Sequence, residues 1–61
     1  MPLIEVKVYE QRLDERTTQA LIEKLTDAFI EAIDDESVRD YTEVIVAGVA
    51  RERWGVGGRT Y

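Results

Sequence analysis

The chain has 61 residues, with 8 Lys plus Arg against 13 Asp plus Glu, a net charge of −5, and neither cysteine nor histidine. Those counts exclude a thiol nucleophile, a disulfide framework, a Cys/His zinc site and any histidine-based triad. The acidic balance argues against nucleic acid or an anionic membrane surface as a partner, and no apolar run nears the roughly 20 residues of a membrane span.

Leu3-Ile4-Glu5-Val6-Lys7-Val8-Tyr9 alternates apolar and polar residues and is rich in β-branched side chains, which predicts a half-buried strand. Glu10 to Leu13 holds no periodicity and reads as a connection. Asp14 is placed to cap a helix, with Glu15 beside the positive end of the dipole. Leu21, Ile22, Leu25, Ala28, Phe29, Ala32 and Ile33 then form a helical stripe broad enough to lie on a sheet. A helix from Glu15 to Ile33 would be roughly 28 Å long. Asp34, Asp35 and Glu36 oppose the dipole and end it, and Ser37 to Tyr41 continues the loop.

Thr42 to Ala50 is the second predicted strand; its run Val44-Ile45-Val46 suits a strand covered on both faces. Arg51-Glu52-Arg53-Trp54 leaves the strand, Gly55-Val56-Gly57-Gly58 is a turn, and Arg59-Thr60-Tyr61 a short tail. The order strand, long helix, strand makes residues 1–61 one α+β domain. Its two strands are expected to be parallel, joined by a right-handed crossover. About 60 residues bury only about 60% of their unfolded surface. A chain that is 44% hydrophobic is therefore expected to assemble with copies of itself and so cover its spare sheet face and edges. With no leader-like segment at the start, a cytoplasmic location is expected.

Pro2 is the sharpest chemical feature. If Met1 is removed, the chain begins with a prolyl secondary amine, a group able to accept and return protons. Apolar walls and nearby arginines would lower its pKa and leave it free at neutral pH. The plain alternative is a proline that only starts a strand. Pro2, the alternating strand, Arg12, the amphipathic helix, Val44-Ile45-Val46 and the turn Trp54-Gly55-Val56-Gly57-Gly58 together resemble the 4-oxalocrotonate tautomerase family. The resemblance covers nearly the whole chain. It implies a small β-α-β protomer assembled as a hexamer, a trimer of dimers. It also implies isomerisation of unsaturated 2-hydroxy or 2-oxo acids with no cofactor and no metal. By the same resemblance Pro2 is the catalytic base. Arg12, from a neighbouring subunit, grips a substrate carboxylate, as a planar guanidinium can through paired hydrogen bonds. Trp54 is the aromatic wall that lowers the amine's pKa. Without the resemblance, Arg12 reads as a solvated loop arginine or one tied to Glu10 or Asp14, and Trp54 as a core or interface aromatic.

One position departs from the family. Counting back from Trp54, the place of a second substrate-binding arginine falls on Glu43, whose carboxylate would repel an anionic substrate and raise the pKa of a nearby amine. Arg39, four residues upstream, either swings in as a substitute or pairs with Asp35 or Glu36; Arg51 and Arg53 are further candidates. A retained Met1 would turn the Pro2 nitrogen into an amide. The alternatives to a tautomerase are therefore two. One is a hydratase, dehalogenase or decarboxylase on the same fold, with Glu43 activating water; the other is a non-catalytic oligomeric protein that kept the fold. The glycines of the Trp54 turn lack the spacing of a phosphate loop. The acids from Asp34 to Asp40 lack that of a calcium loop.

Overall fold

Alternation in the first nine residues becomes strand β1, Leu3–Tyr9, in a computed structural model that describes residues 1–60. A single 3-10 turn, Glu10–Arg12, leads to helix α1, Glu15–Ile33. A second 3-10 segment, Glu36–Tyr41, leads to strand β2, Glu43–Val49. β1 and β2 are parallel, in register from Leu3 beside Glu43 to Tyr9 beside Val49. The β-α-β unit, one long helix on two parallel strands, is thus the fold expected from the sequence.

The helix ends where its sequence says. Asp14 has extended backbone angles and accepts a hydrogen bond from the Thr17 amide at 2.6 Å, satisfying one of the free N–H groups of the first turn. At the other end Asp34 takes the left-handed conformation, φ 55°, and donates its N–H to the Ile30 carbonyl. Asp and Asn are the residues other than glycine that enter this region most readily.

One face of the strand pair holds Ile4, Val6, Val8, Val44 and Val46, all half-buried under the helix. The opposite face holds Leu3, Glu5, Lys7, Glu43 and Ile45, all exposed. The continuous apolar run of β2 is therefore covered on one side only: Ile45 is 51% exposed. Ile30, outside the predicted stripe, is the one buried hydrophobic among the described residues, at 5% exposure, while Ile22 and Ile33 within the stripe stay open. The 36–41 segment borders this part of the helix. It folds back on the helix, where Arg39 bonds Asp27, and Ile30 lies one turn further along that flank.

Two segments are more ordered than the sequence suggested. Residues 36–41 form a 3-10 segment capped by Asp35, whose side chain accepts from the Ser37 amide and hydroxyl at 3.0 and 2.6 Å. Gly55–Val56 and Arg59–Thr60 pair antiparallel as β3 and β4, so the chain closes on a hairpin and not on a plain turn. The two loop residues Gly57 and Gly58 have φ of 61° and 84°, the conformations a two-residue hairpin of this twist demands and that glycine reaches without strain.

A single copy is thin, measuring 42 × 25 × 15 Å with a radius of gyration of 14.1 Å; a compact chain of this length would have about 10.5 Å. Its accessible surface is 5028 Å², against about 4,000 Å² for a typical monomer of this mass.

Candidate active site

The parallel register decides which of the predicted residues meet. Pro2 stands at the beginning of β1, half-buried, and its carbonyl accepts the Glu43 amide at 3.0 Å. That bond ties the Glu43 backbone to Pro2, while the register sets Glu43 beside Leu3 with its side chain on the exposed face. Met1, on the other side of the Pro2 nitrogen, is 88% exposed.

Arg12 lies at the opposite end. It closes the 3-10 turn that follows β1 and is exposed, with no hydrogen bond or ion pair among the described residues. Asp14, one of the partners expected for it, is engaged with Thr17 instead. The turn carrying Arg12 rests on β2 at Gly48, where an added Cβ would stand 3.1 Å from the Glu10 Cβ and the Leu13 Cδ1 and 3.2 Å from the Glu10 Cα. The glycine leaves the space that lets the turn lie flat.

Trp54 is at this end too. It follows the 3-10 turn Arg51–Arg53, is half-buried, and packs on Tyr9 with ring centroids 4.7 Å apart and planes tilted by 51°, a favourable aromatic geometry. Beside it is a cavity of about 310 Å³ lined by Lys7, Val49, Arg53, Trp54 and Gly55. From Pro2 to Tyr9 are seven strand steps, about 23 Å at about 3.3 Å each. Within one copy, then, Pro2 with Glu43 and Arg12 with Trp54 are at opposite ends of the strand pair.

Arg39 belongs to neither group. Its guanidinium donates to Asp27 at 2.7 Å and to Glu36, both charge-assisted bonds, and it lines a groove with Ile22, Glu23, Thr26 and Asp27. Glu36 first and Asp27 second hold its pKa above the ordinary arginine value. The pairing with Glu36 is one expected from the sequence; Asp27, twelve residues away, comes together with it only in the fold. Asp35 is occupied by Ser37, whose hydroxyl and then amide lower its pKa.

Sequence reasoning did not single out Lys7, Tyr9 and Val49 as neighbours of Trp54. The odd-numbered alternation of β1 put Lys7 and Tyr9 on one face, but only the register with β2 adds Val49 to it. No group of three or more acidic side chains able to hold a metal ion occurs among the described residues. None of the helices formed by them is long and apolar enough to cross a membrane.

The likeness to known proteins runs the length of this arrangement. The fold superimposes on the crystal structure of TomN, a 4-oxalocrotonate tautomerase homologue in the tomaymycin biosynthetic pathway, with a TM-score of 0.84 and 37% sequence identity. The match covers 97% of this chain and 86% of TomN. No curated protein sequence matches the chain. The pattern of the family described as tautomerase enzyme matches residues 2–60, beginning at Pro2 itself. The chain belongs to the tautomerase family.

Proposed function

We propose that the protein is a cofactor-independent tautomerase, an isomerase that interconverts enol and keto forms of unsaturated 2-hydroxy and 2-oxo acids. The observation that carries this reading is the setting of Pro2. Its carbonyl is pinned by Glu43, while the residue on its nitrogen, Met1, projects into solvent where an aminopeptidase can reach it. Removal of Met1 would leave a secondary amine at a fixed place. As a free base it takes the proton of the enol O–H. Electrons move from oxygen through the conjugated system, and the resulting ammonium returns a proton to carbon. No electrons are gained or lost overall, so no redox partner is required.

The amine needs a carboxylate clamp and an apolar wall to act on such a substrate. Arg12 and Trp54 are suited to those roles, but in one copy they lie beyond the far end of β1, whose Tyr9 is about 23 Å from Pro2. The working site therefore joins copies, with Pro2 of one protomer beside Arg12 and Trp54 of others. Antiparallel pairing of two copies through free strand edges would bring the Pro2 end of one to the Trp54 end of its partner. The excess surface of the single copy supports such an assembly, which we propose to be a homo-oligomer, a hexamer built as a trimer of dimers. The likeness to TomN supports the chemistry, since that protein is a 4-oxalocrotonate tautomerase homologue.

Mass spectrometry of the purified protein should give the chain without Met1. Such protein should ketonise 2-hydroxymuconate or phenylenolpyruvate faster than buffer does. Confirmed prolyl protein with no rate above buffer on either acid refutes the reading. Arg12→Ala should chiefly raise KM for dicarboxylates.

Glu43 favours one second reading. A carboxylate fixed beside an amino-terminal proline can activate water, as a hydratase or dehalogenase of this fold requires. Release of halide from a 3-haloacrylate, lost in Glu43→Gln while tautomerase activity persists, would support it.

A further inference from the structure

Lys7 and Arg53 have no role in the proposed chemistry, yet they frame the cavity beside Trp54. Lys7 is on the exposed sheet face; Arg53 closes the 3-10 turn that delivers Trp54. Neither makes a hydrogen bond or ion pair with a described residue, although Glu5 and Glu52 are close in sequence. Between them Val49 and the Trp54 indole supply an apolar wall. Ligand cavities begin near about 300 Å³ and combine an apolar lining with a few placed charges; at about 310 Å³ this one is sized for a small molecule.

The charge is informative because the chain as a whole is acidic, at −5. A net field of that sign opposes the approach of an anion, so an anionic ligand needs locally collected positive charge. Two cations without partners among the described residues, set over an aromatic and an aliphatic wall, meet that need.

We propose that Lys7, Arg53 and Trp54 form a subsite for the carboxylate of a small organic acid with an apolar body. Its place in catalysis rests on the tautomerase reading: the subsite shares with Arg12 the holding of the acid's charged end and compensates for the cation that Glu43 denies to the Pro2 end. The substrate class that follows is a monocarboxylic enol acid with an aliphatic or aromatic tail, in preference to a dicarboxylate whose second charge would face Glu43.

The chain contains one tryptophan, so the indole N–H resonance of the intact, native assembly reports on the surroundings of Trp54, and the Lys7 and Arg53 variants assign a shift to this cavity. Hexanoate should move that resonance saturably, and hexanamide, of the same shape without charge, should not. Lys7→Gln and Arg53→Gln should each weaken hexanoate binding about tenfold, the usual loss for one charge-assisted hydrogen bond. Rising ionic strength should weaken the wild type as well, a measurement that depends on no variant. The proposal is overturned if hexanoate leaves the indole unmoved, if hexanamide moves it equally, if both variants bind as the wild type does, or if salt has no effect. Binding does not need Pro2 as a base, so Pro2→Ala should keep the shift. Carboxylate-dependent binding by a prolyl protein with no tautomerase rate refutes the proposed function and leaves the subsite standing. A tautomerase whose indole ignores carboxylates does the reverse.

Discussion

The two ends of the β1–β2 pair are chemically opposite. At the start of the strands a proline is tied to a glutamate, Pro2 to Glu43. At their far end an aromatic pair, Tyr9 and Trp54, sits among the cations Lys7, Arg12, Arg51 and Arg53. The first end offers a proton acceptor and a negative charge. The second offers what an anionic, conjugated substrate would bind. Neither is a site for acid isomerisation by itself, and the rigid strands between them keep them apart within a copy. The separation supports the proposal that the protomer carries two halves of a site that meet between molecules. Its thin core, with Ile30 as the one buried hydrophobic among the described residues, fits that proposal.

The comparison breaks most sharply at its proline end. Pro2→Ala removes the secondary amine and should lower kcat/KM for enol acids about 10²- to 10⁴-fold, the usual span of a positioned base. Mixing shows whether the two ends meet between copies. Pro2→Ala and Arg12→Ala proteins, each disabled, are unfolded together and refolded. Sites that draw Pro2 from one intact copy and Arg12 from another should return about a quarter of wild-type activity for random pairing. Mixed assemblies, verified by mass, with no recovered rate would show that Pro2 and Arg12 do not share a site.

Glu43 sharpens the contrast in charge. A carboxylate beside the amine favours its protonated form, raising its pKa and reducing the free base at neutral pH. Glu43→Gln should therefore move the acidic limb of the kcat/KM profile to lower pH. Glu43→Arg should raise turnover of 2-hydroxymuconate about tenfold by adding one charge-assisted contact to the dicarboxylate. A pH profile and dicarboxylate rate unchanged in both variants would place the Glu43 carboxylate away from the reacting amine.

Local signals made most of the fold legible in the sequence. Strand alternation, the Asp14 cap, the helical stripe and the acids at its end gave β1 and α1 at their observed bounds, because each is written within a few residues. The hairpin β3–β4 was not foreseen, since four residues of strand carry too little pattern to separate from a turn. Gly57 and Gly58, read only as part of a turn, take the positive φ that their type allows. Ile30 was missed because it lies outside the stripe read from the apolar spacing. Of the candidate site, Pro2 was legible by its own chemistry, the roles of Arg12 and Trp54 came from a resemblance, and their separation came from the register. Arg39 shows the limit plainly: Glu36 is legible at three residues' distance, whereas Asp27 is a partner that only the folded-back segment supplies.

The cation-rich end can be disturbed without touching a charge. Gly48→Val places a branched side chain where even a Cβ stands 3.1 Å from Glu10 and Leu13. The turn that carries Arg12 must then lift from β2. Overpacking of this kind costs about 1–3 kcal/mol, measurable as a lower denaturation midpoint. It should also raise KM for acids, since Arg12 moves with the turn. A Gly48→Val protein with wild-type stability would show that the turn yields freely.

The smallest effect tests what holds that turn in place from its other side. Asp14 begins the helix two residues after Arg12, and its carboxylate is held below the ordinary range by the Thr17 amide first and the Thr17 hydroxyl second. A lowered folded pKa means that the ionised form is the one favoured by folding. The contribution is therefore complete above the unfolded value, near about 3.9, and is lost as pH falls through the depressed folded value. Asp35, held down by Ser37, follows the same sign. Asp14→Ala should melt a few degrees below the wild type at neutral pH, and the gap should close as both are titrated into acid below about pH 4. A gap that persists unchanged in acid would mean that the cap acts through its neutral oxygen, and that the charge of Asp14 does not help to seat the turn bearing Arg12.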